Sequence, residues 1–320
     1  MASEITRAEP PSRSPPPPVR GVAKRALVLV NANSRRAPEL MESAVARLQA
    51  HEDLEVVVED CRDPDRLSDV IRAHRDTVEM VIVGGGDGTM NAAARGLIDT
   101  GLPLGILPLG TANDLARTLG IPEDLEAAAD LILAGRTHRI DCGEVNGRPF
   151  FNVASIGLSA ELARGLTRDL KRRFGRFGYA IAAAQVVARA RPFRATIESA
   201  GERARVLTFQ IAVGNGRHYG GGMTVDEAAA IDDATLHLYS LEMRRPWELL
   251  RLAGSFRSGR HVAFEDVRAR TAKSFDVTTR RPRSINADGE LITRTPARFR
   301  VLAQAVTVFV PGPQPGSGSG

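Results

Sequence analysis

Apolar positions along the chain come in two textures. From residue 24 to about 139, short β-branched runs alternate with segments of helical spacing. Ala26 to Val30, Leu54 to Glu59, Val78 to Val83 and Leu104 to Leu109 read as buried strands. Pro38 to Leu48, Pro64 to His74, the alanine-rich stretch after Thr89 and Leu115 to Leu119 read as helices, the last stopped by Gly120 and Pro122. Strands alternating with helices over short loops predict a doubly wound, mostly parallel sheet covered on both faces, with any ligand at the C-terminal ends of the strands. From Ile140 the helical spacing gives way to short apolar runs. An Asn146-Gly147 turn between two of them predicts a hairpin, and Ala195 to Glu198, Leu207 to Val213, Thr235 to Ser240 and Phe275 to Thr278 read as further strands. The expected class is therefore α/β: an N-terminal doubly wound domain over 24–139, then a β-rich domain over 140–303. Within the second domain residues 161–190 look helical, broken at Gly165, Gly175 and Gly178, and a last strand, Val306 to Val310 within 304–311, is expected to return to the first domain. Residues 1–23, with Pro15 to Pro18, and residues 312–320 read as flexible tails.

Composition narrows the class. With 320 residues, 43% hydrophobic and 25% charged, the chain can bury the cores of two domains. Cys61 and Cys142 stand far apart without metal-ligand or redox spacing, which predicts quiet thiols in a reducing, cytoplasmic compartment. No run approaches the roughly 18 consecutive apolar residues of a spanning helix, so membrane contact is expected to be peripheral.

The densest chemistry lies where the strand Val81-Ile82-Val83 breaks into Gly84-Gly85-Gly86-Asp87-Gly88-Thr89-Met90-Asn91. Glycines let the backbone approach an anion, and the N–H groups opening the next helix face its oxygens. No lysine follows as a Walker loop requires, and Thr89 stands where a dinucleotide fingerprint has its last glycine. A carboxylate beside phosphate needs a cation between them, and Mg2+ suits Asp87. Gly110-Thr111-Ala112-Asn113-Asp114 repeats the strand-turn-helix arrangement. Asp114 is open to two readings there, an ordinary residue at a helix N-terminus or a second carboxylate of the same site. Asn31, after the first strand, shares that edge, as an Asn-rich turn or as a nucleotide contact. Gly214 to Met223 is too glycine-dense for a strand interior and predicts a loop, a tight bend or a substrate contact. His218 within it has no partner spaced for catalysis. Asp288-Gly289-Glu290 by itself reads as a β-turn.

Gly85-Gly86-Asp87-Gly88-Thr89, with Gly110 to Arg117, Phe150-Phe151-Asn152-Val153-Ala154-Ser155-Ile156-Gly157, Gly214-Asn215-Gly216 and Asp288-Gly289-Glu290 in this order, resembles the diacylglycerol kinase catalytic-domain superfamily, in its bacterial soluble lipid kinase type. The resemblance covers nearly all of the chain after residue 24. It implies a two-domain lipid kinase fold and transfer of the γ-phosphoryl group of ATP to a lipid hydroxyl. It implies that Asn31, Gly85, Gly86, Gly88, Thr89, Gly110, Thr111 and Asn113 hold the nucleotide, and that Asp87 and Asp114 hold Mg2+. It also implies that Asp288 is the base, supported by Glu290, and that Asp233 contributes to a structural cation site. Four positions depart from the family pattern: Ala32 replaces the proline of an Asn-Pro turn, Arg35 replaces the glycine of a Ser-Gly after it, Ala92 replaces an acid after Asn91, and Ala234 replaces a glycine after Asp233.

The charge of the chain is +5, yet Arg164 to Arg194 holds nine Lys/Arg against Asp169 alone, +8 locally. The run reads either as a solvated face or, through Lys171, Arg172 and Arg173 with Phe174, Phe177 and Tyr179, as a surface for anionic membrane. No nucleic-acid motif accompanies it. The expected partners are therefore ATP, a membrane lipid and an anionic membrane surface, with no nucleic acid and with a homodimer left open. Two other functions share the glycine turn or the fold: a kinase of the NAD kinase or phosphofructokinase type, and a catalytically silent lipid-binding module. Gly110 to Arg117 favours the lipid kinase over the first, and retention of Asp87, Asp114, Asp288 and Glu290 favours it over the second.

Overall fold

A computed structural model describes residues 24–30, 37–61, 63–165, 190–215, 218–219, 223–224, 230–243 and 267–312. Asn31, Lys171 to Arg173, Phe174, Phe177, Tyr179 and residues 220–222 lie outside the described residues, as do 1–23 and 313–320.

The first domain runs β1 (Lys24–Val30), α1 (Ala37–Gln49), β2 (Leu54–Asp60), a 3-10 turn at Pro64–Arg66 leading into α2 (Leu67–Ala73), β3 (Met80–Gly85), α3 (Asp87–Thr100), β4 (Leu104–Pro108), α4 (Asp114–Thr118) and α5 (Leu125–Leu133). Its strands pair in parallel in the order β2-β1-β3-β4. Every residue of β3 and β4 is buried, as expected of central strands with helices on both faces. The sequence pattern missed α5, which begins where the Asp124 side chain accepts the Ala127 N–H at 2.8 Å and which buries Leu125, Ala128, Ala129 and Ile132.

The second domain continues with β5 (Thr137–Val145), β6 (Arg148–Phe150), β7 (Val153–Gly157), α6 (Leu158–Gly165), β8 (Phe193–Ser199), β9 (Glu202–Thr208), β10 (Gln210–Gly214) and the two-residue strands β11 (His218–Tyr219) and β12 (Met223–Thr224). It closes with β13 (Leu236–Leu241), β14 (Val267–Ala272), β15 (Ser274–Thr279), β16 (Ser284–Ala287), β17 (Glu290–Arg294) and β18 (Ala297–Phe309). The hairpin forms at Asn146-Gly147, both at positive φ (50° and 79°). Within the glycine-dense segment, where a loop was expected, β11 pairs with β12 as a small antiparallel ribbon.

Leu207 to Val213 is two strands, not one. β9 belongs to the first sheet and β10 to the second, and the chain crosses between them at Phe209, whose N–H donates to Leu241 O at 2.9 Å. Thr208 Oγ1 covers the crossing by reaching Gln210 O and Leu241 O. The alternation of Leu207, Phe209, Ile211 and Val213 spans the step unbroken, although Leu207 is exposed and the other three are buried.

The second domain is a sandwich. One layer extends the parallel sheet through β18, β15, β8 and β9, with β5 and β6 attached, and the other is β14-β13-β10-β7-β16-β17. Phe150, Phe193, Phe275 and Phe299 of the first layer and Ile156, Ile211, Leu238 and Ile285 of the second fill the space between. The 13-residue β18 serves both domains: Ala297 and Phe299 pair with β15, whereas Val308 pairs with Leu104 of β4. Its antiparallel register with β5 slips between Leu302 and Val306, where Gln304 has φ 49°.

Asp141, 1% exposed on β5, fills that irregularity. Its carboxylate accepts the Gln304 N–H at 2.7 Å and the Ala234 N–H at 2.6 Å, while Arg139 donates to Gln304 O. Asp141→Ala leaves two part-buried backbone donors unpaired and is expected to destabilise the protein by about 2 kcal/mol, the low end of the cost per orphaned group because water can reach both. A lowered urea midpoint checks this, and an unchanged midpoint refutes it.

Candidate active site

The glycine turns after β3 and β4 lie in contact. A Cβ on Gly86 would stand 3.0 Å from Gly110 Cα, and one on Gly110 would stand 2.6 Å from Gly86 Cα, so neither turn admits a side chain while the other keeps its place. The Leu109 N–H donates to Gly85 O at 3.0 Å, joining the turns further. Thr89 is buried against Gly85, where an added Cβ would fall 2.5 Å from its side chain. Asn113, at φ 49°, closes the second turn with its amide, accepting from Gly110 N at 2.9 Å and donating to Gly110 O at 3.0 Å. Thr111 is exposed beside it. Gly86 caps α3 without a side-chain hydrogen bond, so the first N–H groups of a 14-residue helix open toward Gly88 with its partial positive charge.

Asp87, half-buried at the start of α3, accepts the Leu115 N–H at 3.1 Å and so ties α3 to α4. Asp114 is buried at the head of α4, with Arg117 Nη1 at 4.0 Å. The Asn152 amide nitrogen lies 3.5 Å from Asp87 Oδ1, and Asn152 Oδ1 is buried with no hydrogen-bond partner among the described residues. An orphaned amide oxygen beside a carboxylate is the all-oxygen donor chemistry of a hard cation such as Mg2+, and these residues fit one. Among the described residues no three His, Cys, Asp or Glu side chains gather into a metal-holding group.

Asp288 and Glu290, next-but-one neighbours on the β16–β17 turn, occupy opposite environments. Asp288 Oδ2 accepts from Phe151 N at 2.7 Å and Asn91 Nδ2 at 3.0 Å, and Oδ1 accepts from Asn152 N and Val153 N, both at 3.0 Å. Its own N–H donates to Val153 O. Burial holds its pKa above the ordinary aspartate value, against the downward pull of the four N–H donors. Glu290 is exposed, and its Oε1 stands 3.2 Å from where a Cβ on Gly88 would lie. Partial burial, and behind it the Asp65 carboxylate, raise the Glu290 pKa above the ordinary glutamate value.

The residues that hold this arrangement were undervalued in the sequence. Asn91, noted only for the alanine that follows it, bridges α3 to Asp288 and to Pro149 O. Asn215 is 1% exposed and donates to Asp141 O and Phe151 O, fixing the bend that bears Asn152. Their signal was an Asn inside an otherwise apolar or glycine-rich run.

Asp233 has a different setting. Both its oxygens are used: Oδ1 accepts from Thr235 N and Oγ1, and Oδ2 accepts from Ala230 N and lies 3.0 Å from His237 Nε2. Burial raises its pKa, but the hydrogen bonds from Thr235 and His237 outweigh this and hold it below the usual carboxylate range.

Residues 25–145 match the diacylglycerol kinase catalytic domain, and residues 152–310 match the YegS C-terminal NAD kinase beta sandwich-like domain. A YegS-like protein of Klebsiella pneumoniae (strain 342), named as a probable lipid kinase, is 31% identical over 290 residues, 89% of this chain and 95% of its own. The diacylglycerol kinase of Bacillus subtilis (strain 168) is 31% identical over 238 residues, 73% of this chain and 78% of its own. A crystal structure of a diacylglycerol kinase from Bacillus anthracis (strain Sterne) shares the fold at TM-score 0.70 and 22% identity, over 90% of this chain and 97% of the other. A second structure from that strain reaches TM-score 0.79 at 25% identity, over 92% and 97%. With paired glycine turns on a parallel sheet and an acidic hairpin brought over them from a sandwich, the chain belongs to the diacylglycerol kinase and YegS-like lipid kinase family.

Proposed function

We propose that the protein transfers the γ-phosphoryl group of ATP to a hydroxyl of a membrane lipid, diacylglycerol or a relative of it, acting peripherally at the cytoplasmic membrane surface. The observation that carries this reading is the Glu290 carboxylate, supplied by the second domain, over Gly88 at the open N-terminus of α3. That helix end, with Gly85, Gly86, Thr89 and the touching turn of Gly110 to Asn113, is a phosphate cradle. Asn31 belongs to the same strand-end edge in the sequence and is assigned to the nucleotide with them. A base at the rim of the cradle can meet an acceptor hydroxyl from outside.

The chemistry needs positioning, charge neutralisation and a proton acceptor. The lipid oxygen bonds to the γ-phosphorus as the bond from phosphorus to the β–γ bridging oxygen breaks. The hydroxyl proton passes to Glu290, and ADP leaves with the electron pair. Asp87 and Asn152 Oδ1 would hold Mg2+, with Asp114 beside them, and the ion when bound neutralises charge on the phosphate oxygens. We exchange the roles that the resemblance implies for the two acids, on the support of their hydrogen bonds and exposure. Asp288 has four protein donors on its two oxygens and acts as the positioning residue, whereas Glu290 is exposed and faces the cradle.

Glu290→Gln should therefore leave the urea midpoint unchanged and lower kcat by about two to four orders of magnitude, the usual contribution of a general base. Asp288→Asn turns an NH2 toward backbone donors, and should lower stability by about 2–3 kcal/mol. Near-normal phosphotransfer by folded Glu290→Gln, measured with ATP and dispersed lipid, removes Glu290 from this role.

A base works ionised, so kcat/KM should rise with pH through the Glu290 pKa and level off above it. Because that pKa is raised, the acidic limb should lie above the ordinary glutamate value of about 4.3. Asp65→Asn removes one of the raising charges and should move the limb to lower pH. A limb unmoved by Asp65→Asn assigns it to another group.

Chelation should abolish turnover and added Mg2+ restore it. Asn152→Ala should raise the Mg2+ concentration for half-maximal rate by about tenfold, a typical loss when one group of a metal's surroundings is removed. An unchanged Mg2+ requirement takes Asn152 out of the cation's surroundings.

A further inference from the structure

The outer face of β8, β9 and β15 divides into two charge environments along its length. Glu198 on β8 stands opposite Arg203 of β9 on one side and Asp276 of β15 on the other, and both acids are paired, Glu198 with Arg203 at 3.0 Å and Asp276 with Arg298 at 3.7 Å. One pleat along, Thr196 faces Arg205 and Thr278, and one pleat further Arg194 faces Leu207. Here the acids stop. Arg194, Arg205 and Arg280 line a groove of about 560 Å3, and Leu207 at its edge is 51% exposed, one of three large apolar side chains so exposed among the described residues.

The loop from β15 to β16 turns this groove into a second hollow, of about 200 Å3, lined by Arg281, Arg283 and Arg294. Arg283 stacks on Phe193 at 4.1 Å and pairs with Glu161 at 3.6 Å, the hollow's one acid. Among the described residues Arg194, Arg205, Arg280, Arg281 and Arg294 have no acidic partner within 4 Å, and all five are exposed. Arg300 of the same layer, by contrast, pairs with Glu144 at 2.6 Å, and Arg270 of the other layer pairs with Glu202 of β9 at 3.4 Å. Five uncompensated guanidinium groups around one loop repel one another and lower the stability of the isolated chain. A partner with many phosphates offsets that cost.

We propose that this arginine surface, Arg194, Arg205, Arg280, Arg281 and Arg294 around Leu207, docks the protein on an anionic bilayer. A bilayer fits better than a soluble phosphate because the five groups span two hollows and a flat sheet face, and because exposed Leu207 at the groove edge can enter the headgroup boundary. The surface also joins the reaction centre. β16 starts at Ser284, opposite Arg294 of β17, and reaches the Asp288–Glu290 turn after Ala287, a run of about 10 Å at ~3.4 Å per residue. This deepens the lipid kinase reading and rests on it for the purpose of docking, but not for the docking itself, which needs neither ATP nor turnover.

The test is co-sedimentation of the full chain with phosphatidylcholine vesicles, with and without phosphatidylglycerol, in the absence of nucleotide. Wild type should bind only the anionic vesicles, and less as salt rises. Arg194→Gln/Arg205→Gln/Arg280→Gln and Arg281→Gln/Arg294→Gln should each weaken binding by about fivefold per arginine, from ~1 kcal/mol for each basic group near such a surface. Leu207→Ser should remove the part of the binding that survives high salt. The paired-arginine control Arg203→Gln/Arg298→Gln should bind nearly as wild type, and all variants should phosphorylate detergent-dispersed lipid at the wild-type rate.

The docking surface is overturned if wild type ignores anionic vesicles, if the triple variant binds them as wild type does, or if the control loses as much. Retention on polyuridine RNA without vesicle binding overturns it in favour of nucleic acid. A matching loss of detergent activity in folded variants also overturns it, assigning the arginines to the active site. Vesicle binding that follows the predicted pattern while no lipid is ever phosphorylated supports the surface and refutes the proposed activity instead.

Discussion

The Asp288 carboxylate collects four N–H groups, one from Asn91 on α3 and three from consecutive backbone positions 151 to 153, and the proposed reaction centre depends on that single collection. Each oxygen has two donors, so the group is fixed in direction as well as place. The α3 helix belongs to the parallel sheet, the 151–153 bend opens the sandwich, and the β16–β17 turn comes from near the end of the chain. No apolar packing ties three such distant segments with comparable directionality. Glu290, two residues on, inherits its position from this anchor and is left with water on one side and the mouth of α3 on the other.

Two kinds of residue were legible in advance. Period and punctuation disclosed β1 to β4, the Asn146-Gly147 hairpin and both glycine turns, since these depend on local chain geometry. The glycine turns carried more than conformation: the approach of Gly86 to Gly110 explains why both must lack a side chain, a constraint that appears only when two loops about 25 residues apart are brought together. The α5 helix was lost because its stop and start sit close to those of α4, so that one apolar stretch followed another without a clear period. Leu207 to Val213 was read as one strand because crossing from one layer to the other leaves the alternation undisturbed.

The roles within Asp288-Gly289-Glu290 could not be ordered from the chain alone. Two acids flanking a glycine are equivalent in sequence, and only the donors that surround one of them support the proposal of one as anchor and the other as base. Asn91, Asn152 and Asn215 were obscured for a similar reason. An amide is an ordinary turn residue until its partners are known, and two of these are almost wholly buried, at 3% and 1% exposure. Asp141 belongs to the same class, a carboxylate whose use is to satisfy the backbone where β18 falls out of register with β5.

That slip in β18 has a mechanical meaning. The parallel sheet and one layer of the sandwich are a single hydrogen-bonded fabric, continuous through β18 and β5, rather than two bodies on a flexible tether. A cleft between such lobes cannot swing open by rotation about a loop. At the gap in the ladder between Leu302 and Val306 the fabric is held by side chains, with Asp141 taking the Gln304 N–H and Arg139 its carbonyl. Gln304, remote in sequence from every group of the candidate site, is thus where two side chains stand in for a missing rung between the lobes.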